Sequence, residues 1–116
     1  MGKKALYERL KNGEVWVSEY SQTHWRDYLP GDIEKVVDTW SILPEDSGSS
    51  KGMEIYYSPK HDEFYLRSWK HQYSSNTGSR IRIIDKEEII DLIIDEQLIE
   101  ELPEEWREKL GFEVEA

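Results

Sequence analysis

Three histidines and a dense set of carboxylates are the residues from which this 116-residue chain could build reactive chemistry. His61, Asp62 and Glu63 stand together, with His71 further along. Imidazole plus carboxylate is a ligand set for zinc or manganese. A metal-dependent hydrolase around His61 is therefore one reading. Geometry opposes it, because neighbouring residues in or beside a strand point to opposite sides. Pro59-Lys60-His61-Asp62 also has the composition of a solvated turn. Nucleophilic catalysis has less support. The chain has no cysteine, which also removes disulfides, thiolate metal sites and iron–sulfur clusters. No Gly-x-Ser-x-Gly elbow is present. Gly48-Ser49-Ser50-Lys51-Gly52 has the composition of an anion-binding loop, but it lacks the Walker spacing and runs into a strand pattern rather than a helix. The sequence thus assigns no catalytic residue, no metal ligand and no cofactor.

Binding chemistry is better represented. The net charge of −10 is unevenly placed. Residues 51–82 carry six Lys and Arg against three Asp and Glu, a net of +3. Residues 83–116 carry three against thirteen, a net of −10. Glu87, Asp91 and Asp95 recur at i, i+4, i+8, and Glu96, Glu100 and Glu101 extend the acidic side. Like charges at i, i+4 cost a few tenths of a kcal/mol per pair. Such a face either serves solubility or engages a basic partner, and in the latter role it can imitate a row of phosphates. The competing signal is an aromatic and basic set: Tyr56, Tyr65, Arg67, Trp69, Arg80 and Arg82. Rings interleaved with arginines on a sheet suit single-stranded nucleic acid, which needs stacking platforms and phosphate contacts. The same rings could instead form a second core layer. Trp25, Arg26 and Tyr28 form a smaller loop group of contact candidates, Trp25 being equally suited to cover the core.

The elements that must position these groups can be read from periodicity. Residues 3–11 have helical spacing, ended by Asn12-Gly13. Residues 14–21 alternate as a strand, with Trp16 assigned to the core. Ile33, Val36, Val37 and Trp40 fall at i, i+3, i+4, i+7 after Asp32, which predicts an amphipathic helix. A flexible loop is expected over 45–52. Residues 53–71 read as a hairpin turning on Pro59-Lys60-His61-Asp62. Its register sets Ser58 against Glu63, Tyr57 against Phe64, Tyr56 against Tyr65, Ile55 against Leu66 and Glu54 against Arg67. A polar loop over 74–79 leads to a strand over 80–84, expected to place Arg80 and Arg82 on the face of Tyr56, Tyr65, Arg67 and Trp69. Asp85 caps a helix reaching about residue 101, and Pro103 opens a last helix stopped by Gly111.

The expected architecture is a single α+β domain over residues 1–116, in the order α-β-α-β-β-β-α-α. A small, mostly antiparallel sheet of about four strands has helices on one face, and the C-terminal third, 85–110, is acidic and helical. No apolar run is long enough to span a bilayer, and the absence of cysteine and of a secretory signal makes the cytoplasm the expected compartment. The expected function is a small, non-enzymatic binding or regulatory module that meets a basic protein surface through its acidic helices. The alternative is single-stranded nucleic-acid binding. An isoleucine-rich helix at 89–94 is either buried or shared in a homodimer.

Overall fold

A computed structural model describes residues 2–42, 49–71 and 77–112 of the chain. Five antiparallel strands form one sheet: β1 (Val15–Ser18), β2 (Glu34–Ile42), β3 (Ser50–Ser58), β4 (Glu63–His71) and β5 (Gly78–Ile84). Their spatial order is β1-β5-β4-β3-β2, a four-strand meander with β1 added at the far edge. The helices are α1 (Lys3–Lys11), α2 (Lys86–Asp95) and α3 (Glu104–Lys109), with 3-10 turns at Trp25–Tyr28 and Ile99–Glu101. The domain is α+β, as its alternation of patterns implies.

The hairpin of β3 and β4 has the register expected from the sequence in all five pairs, from Ser58 against Glu63 to Glu54 against Arg67. Alternation then divides its residues between two faces. Ile55, Leu66 and Ile84 pack on a first face beneath Ile89 and Ile93 of α2, with Leu98, Leu102, Trp106 and Leu110 completing that core. Tyr56, Tyr65 and Ile81 pack on the second face with Leu6 and Leu10 of α1, Val15 and Val17 of β1, and Tyr28. Helices therefore cover both faces, where one had been expected. The reason lies in the second face, whose tyrosines and valines make an apolar surface that must also leave water.

The largest difference from the expectation is β2, read from its spacing as a helix. Strand pairing between β2 and β3 shifts register between Lys35 and Val37. This bulge adds one residue and lets the adjacent Val36 and Val37 both be buried, at 2% and 4% exposure. Two apolar neighbours flanked at intervals of three are produced equally by an amphipathic helix and by a bulged strand. Val36, Val37 and Thr39 are stiff at χ1, which favours the strand once β3 is available as a partner.

Smaller differences follow the same local logic. β3 begins at Ser50, so Ser50, Lys51 and Gly52 belong to a strand rather than to the expected loop, and Gly78 and Ser79 likewise belong to β5. Helix α2 ends at Asp95, and Gln97 takes φ 57° before the 3-10 turn, so one long helix to residue 101 is not formed. Asp85 caps α2 as expected, accepting a hydrogen bond from the Glu88 amide at 2.8 Å. Pro103 opens α3, and Gly111, at φ 86°, follows its end. The flexible loops expected at 45–48 and 74–76 and the side chain of Trp40 lie outside the described residues.

Ile55 is fully buried, so Ile55→Ala should lower unfolding stability by about 2–5 kcal/mol. Ile94 is 52% exposed, and Ile94→Ala should stay within about 0.5 kcal/mol of the parent. Urea unfolding followed by tryptophan emission checks both, and an equal loss in the two variants would contradict the packing described.

Candidate functional site

The hairpin register builds a charged cluster on the second face. Glu54 and Arg67, directly opposite, form an ion pair with both side chains largely buried. Arg67 Nε also donates to Ser79 Oγ at 2.9 Å, and Lys35 Nζ lies 3.2 Å from the other oxygen of Glu54. The Arg67 guanidinium stacks 4.3 Å from the centre of the Trp25 ring. Trp25 reaches this place through the 3-10 turn Trp25–Tyr28. His24 opens that turn, with its Nδ1 accepting from the Arg26 amide and its own amide donating to Asp27. The Trp25 ring rests 5.5 Å from that of Tyr56, so this loop residue folds back over the sheet. Arg26 stays exposed, stacked 4.9 Å from Trp25, and Tyr28 is buried.

Beyond Trp25 the second face is open. A cleft of about 590 Å³ lies there, with Arg67, Glu54, Trp25 and Trp69 among its lining, and with His24 and His71 also lining it. The Trp69 ring occupies the space that a side chain at Gly52 would need, so a glycine is required opposite it on β3.

Burial sets the electrostatics of this cluster. Burial alone would raise the Glu54 carboxyl, but hydrogen bonds and charge from Arg67, with Lys35, outweigh it and hold the group below its ordinary range. The Tyr56 hydroxyl is pushed up to about 12 by burial and by the neighbouring Glu54 carboxylate. Tyr65 is raised as well, by burial and by its bonds to Tyr7 and Glu63. Both tyrosines are core residues, at 2% and 0% exposure, and present no ring for stacking.

The arginines of β5 are on the other face. Arg80 pairs with Ser68, and Arg82 with Leu66, while Ile81 and Ile83 share the side of Arg67 and Tyr65. The expected six-residue aromatic and basic face is thus divided. Arg67 is largely buried and Trp69 half-buried on the second face, and Arg80 and Arg82 lie on the first. The register between β4 and β5 is the cause, and the separate alternation of each strand did not contain it. Arg82 reaches Glu88 at 2.9 Å, and Arg80 lies 5.8 Å over the ring of Trp16. Trp16, expected in the core, is 47% exposed.

The acidic residues are all at the surface. Glu87, Asp91, Asp95, Glu96, Glu100 and Glu101 are exposed on α2 and the segment that follows it. None has an ion-pair partner among the described residues, in contrast to Glu88 with Arg82 and Glu105 with Lys109. Ile94 and Ile99 are exposed in the same stretch, while Ile89 and Ile93 are buried.

At the turn, His61, Asp62 and Glu63 go to separate partners. His61 stacks on Tyr7 at 5.1 Å, Asp62 accepts from the Tyr57 hydroxyl at 2.7 Å, and Glu63 accepts from Tyr7 and Tyr65. His71 is at the opposite end of β4, 3.6 Å from Glu19. Among the described residues, no three histidine or carboxylate side chains come together in a metal-binding group. The bond network around Tyr7 was not legible in the sequence, since it joins residues 56 positions apart.

No family model, no curated protein and no solved structure matches this chain. Among the described residues, no helix is long and apolar enough to cross a membrane.

A carboxylate depressed in the folded state stabilises the fold above its unfolded value, 4.5 for Glu54, and that contribution is lost as pH falls through the lower folded value. Asp32, held down by the Lys60 amide and Ser58 hydroxyl, acts in the same direction from 3.8. Stability should therefore fall as the pH is lowered below about 4.5. Glu54→Gln should cost on the order of 2–4 kcal/mol at pH 7, because it leaves Arg67 largely buried without its counter-charge. Its difference from the parent should shrink towards pH 3, which denaturant melts across pH would check.

Proposed function

We propose that this protein is a non-enzymatic interaction module whose acidic C-terminal layer engages a basic surface on another protein. The observation that carries this reading is the state of six carboxylates. All are exposed, all lie between residues 87 and 101, and none is neutralised among the described residues. The pairs of Glu88 with Arg82 and of Glu105 with Lys109 in the same layer mean that neutralising partners are within reach of this fold. Leaving these six unpaired concentrates negative potential along residues 87–101, which steers a basic partner towards them.

Ile94 and Ile99 add to the argument. They stand exposed amid the acids rather than turned to the core. Apolar side chains ringed by charge supply the desolvated contacts on which affinity rests, while the charges contribute encounter rate and orientation. A phosphate-mimicking inhibitor is one form of this activity, since a carboxylate row can occupy a site built for a nucleic-acid backbone.

The test is affinity capture from a lysate of the source organism with two forms of the protein. One is the parent, the other Glu87→Gln, Asp91→Asn, Asp95→Asn and Glu100→Gln combined. The expected result is a basic partner held by the parent at low salt and lost by the variant, with the purified pair weakening at least tenfold in titration. Equal retention of every captured protein by the two forms would set the reading aside. The four positions are exposed, so the variant should melt at or above the parent temperature as like-charge repulsion is relieved.

A further inference from the structure

The first face of the sheet is only partly covered, and we infer that its open end binds a short stretch of single-stranded nucleic acid, with Trp16 stacking a base and Lys51, Lys70 and Arg80 holding phosphates. The groove uses other side chains than the acidic surface, which borders it at Glu96.

The strand registers assemble the platform. Trp16 pairs with Arg80, Arg80 with Ser68, and Ser68 with Met53, so these four form one row across β1, β5, β4 and β3. In the next row outward Gly78 pairs with Lys70, and Lys70 with Lys51. Helix α2 ends short of this region, with Glu96 at the rim, and a groove of about 880 Å³ remains over it.

Three details point to the ligand. First, the six-membered ring of Trp16 reaches over Gly78, where a methyl group would meet it at 2.8 Å. Glycine at that point lets the indole lie across β5, and 47% of the residue stays exposed. Second, Lys51 and Lys70 are direct cross-strand neighbours of like charge, an arrangement that opposes strand pairing. Both are exposed and neither has an ion-pair partner among the described residues. A bridging anion would relieve their repulsion. Third, the cations lie on three successive strands, spaced about 4.8 Å apart, in two adjacent rows, so together they span more than one phosphate needs. A ligand with a planar ring and successive phosphates matches all three. Duplex is a poorer match, since its bases are already stacked.

Glu14 lies 3.5 Å from Arg80, and the net charge of −10 repels polyanions at long range. Binding should therefore be weak and steeply salt-dependent. Three phosphate contacts give a slope of about −2 in log K against log salt.

The experiment is fluorescence anisotropy of a labelled oligothymidylate of twelve nucleotides, with the full chain at 20–150 mM salt and tryptophan emission recorded in parallel. Binding at 20 mM salt with quenched emission is expected. Trp16→Leu should weaken it about fivefold or more, the loss of one stacked base. Lys51→Gln with Lys70→Gln should weaken it and lower the slope by about 1.4. Arg26→Gln, exposed on the opposite face, should change nothing. No binding at 20 mM salt would overturn the inference. So would displacement by poly-glutamate of equal charge together with a silent Trp16→Leu, which would assign the groove to an acidic protein segment.

Discussion

Side chains alternate across a strand, so the pairing of Glu54 with Arg67 and of Tyr56 with Tyr65 governs where every other group in this domain can go. A slip of β3 by one residue would send Tyr56 to the face covered by α2 and bring Ile55 under α1, while Tyr65 and Leu66 kept their places. It would also part the two charges, turning Glu54 into the apolar core under α2 and leaving Arg67 without its partner. The register is thus held from both faces at once, by apolar burial on each and by a charge pair that only one pairing satisfies. The cost of separating Glu54 from Arg67 is large because each ion is mostly out of water, and the hydroxyl of Ser79 and the amine of Lys35 complete the shell around them.

Once the hairpin is set, the remaining elements follow from what it leaves uncovered. The first face presents Ile55 and Leu66, and α2 brings Ile89 and Ile93 to them. The second presents Tyr56 and Tyr65, which α1 covers with Leu6 and Leu10. Trp25 closes the edge of that cover. It shields the Arg67 guanidinium with its ring and leaves the rest of the face as a cleft. The position of Trp25 is therefore explained by the core and the buried ion pair, without appeal to a partner.

Legibility in the sequence depended on how far a signal reached. The hairpin was readable in full because its turn and both alternating runs lie within 19 consecutive residues. Helix α1 and the caps at Asp85 and Gly111 were readable for the same reason. The spacing in β2 is ambiguous because a bulge reproduces helical spacing, and only its long-range pairing with β3 removes the ambiguity. The split of the arginines went unseen because it depends on the register between β4 and β5, whose connection passes through a polar segment with no register signal of its own. Trp16 was misplaced for a related reason. Its strand alternates cleanly, but which side is covered depends on α1, and α1 covers Val15 and Val17 instead. The acidic surface needed no such information, since carboxylates without partners go to water wherever the helix is placed.

That last point bears on why the acids are there. Repulsion between carboxylates one turn apart costs a few tenths of a kcal/mol per pair. Each fully buried isoleucine or leucine of the C-terminal layer contributes about 1.5–3 kcal/mol by leaving water. Ile89, Ile93, Leu98, Leu102 and Leu110 are all buried there, so packing exceeds the repulsion several times over. Helix α2 is thus held by its inner side, and its outer side is free of structural duty. Stability neither requires six unpaired carboxylates nor is threatened by them. Neutral polar residues would keep the helix in water equally well, and lysines at alternate positions would stabilise it further. A surface that is mildly unfavourable to the fold, with six unpaired carboxylates beside two exposed isoleucines, is the kind of surface that the proposed encounter with a basic partner requires.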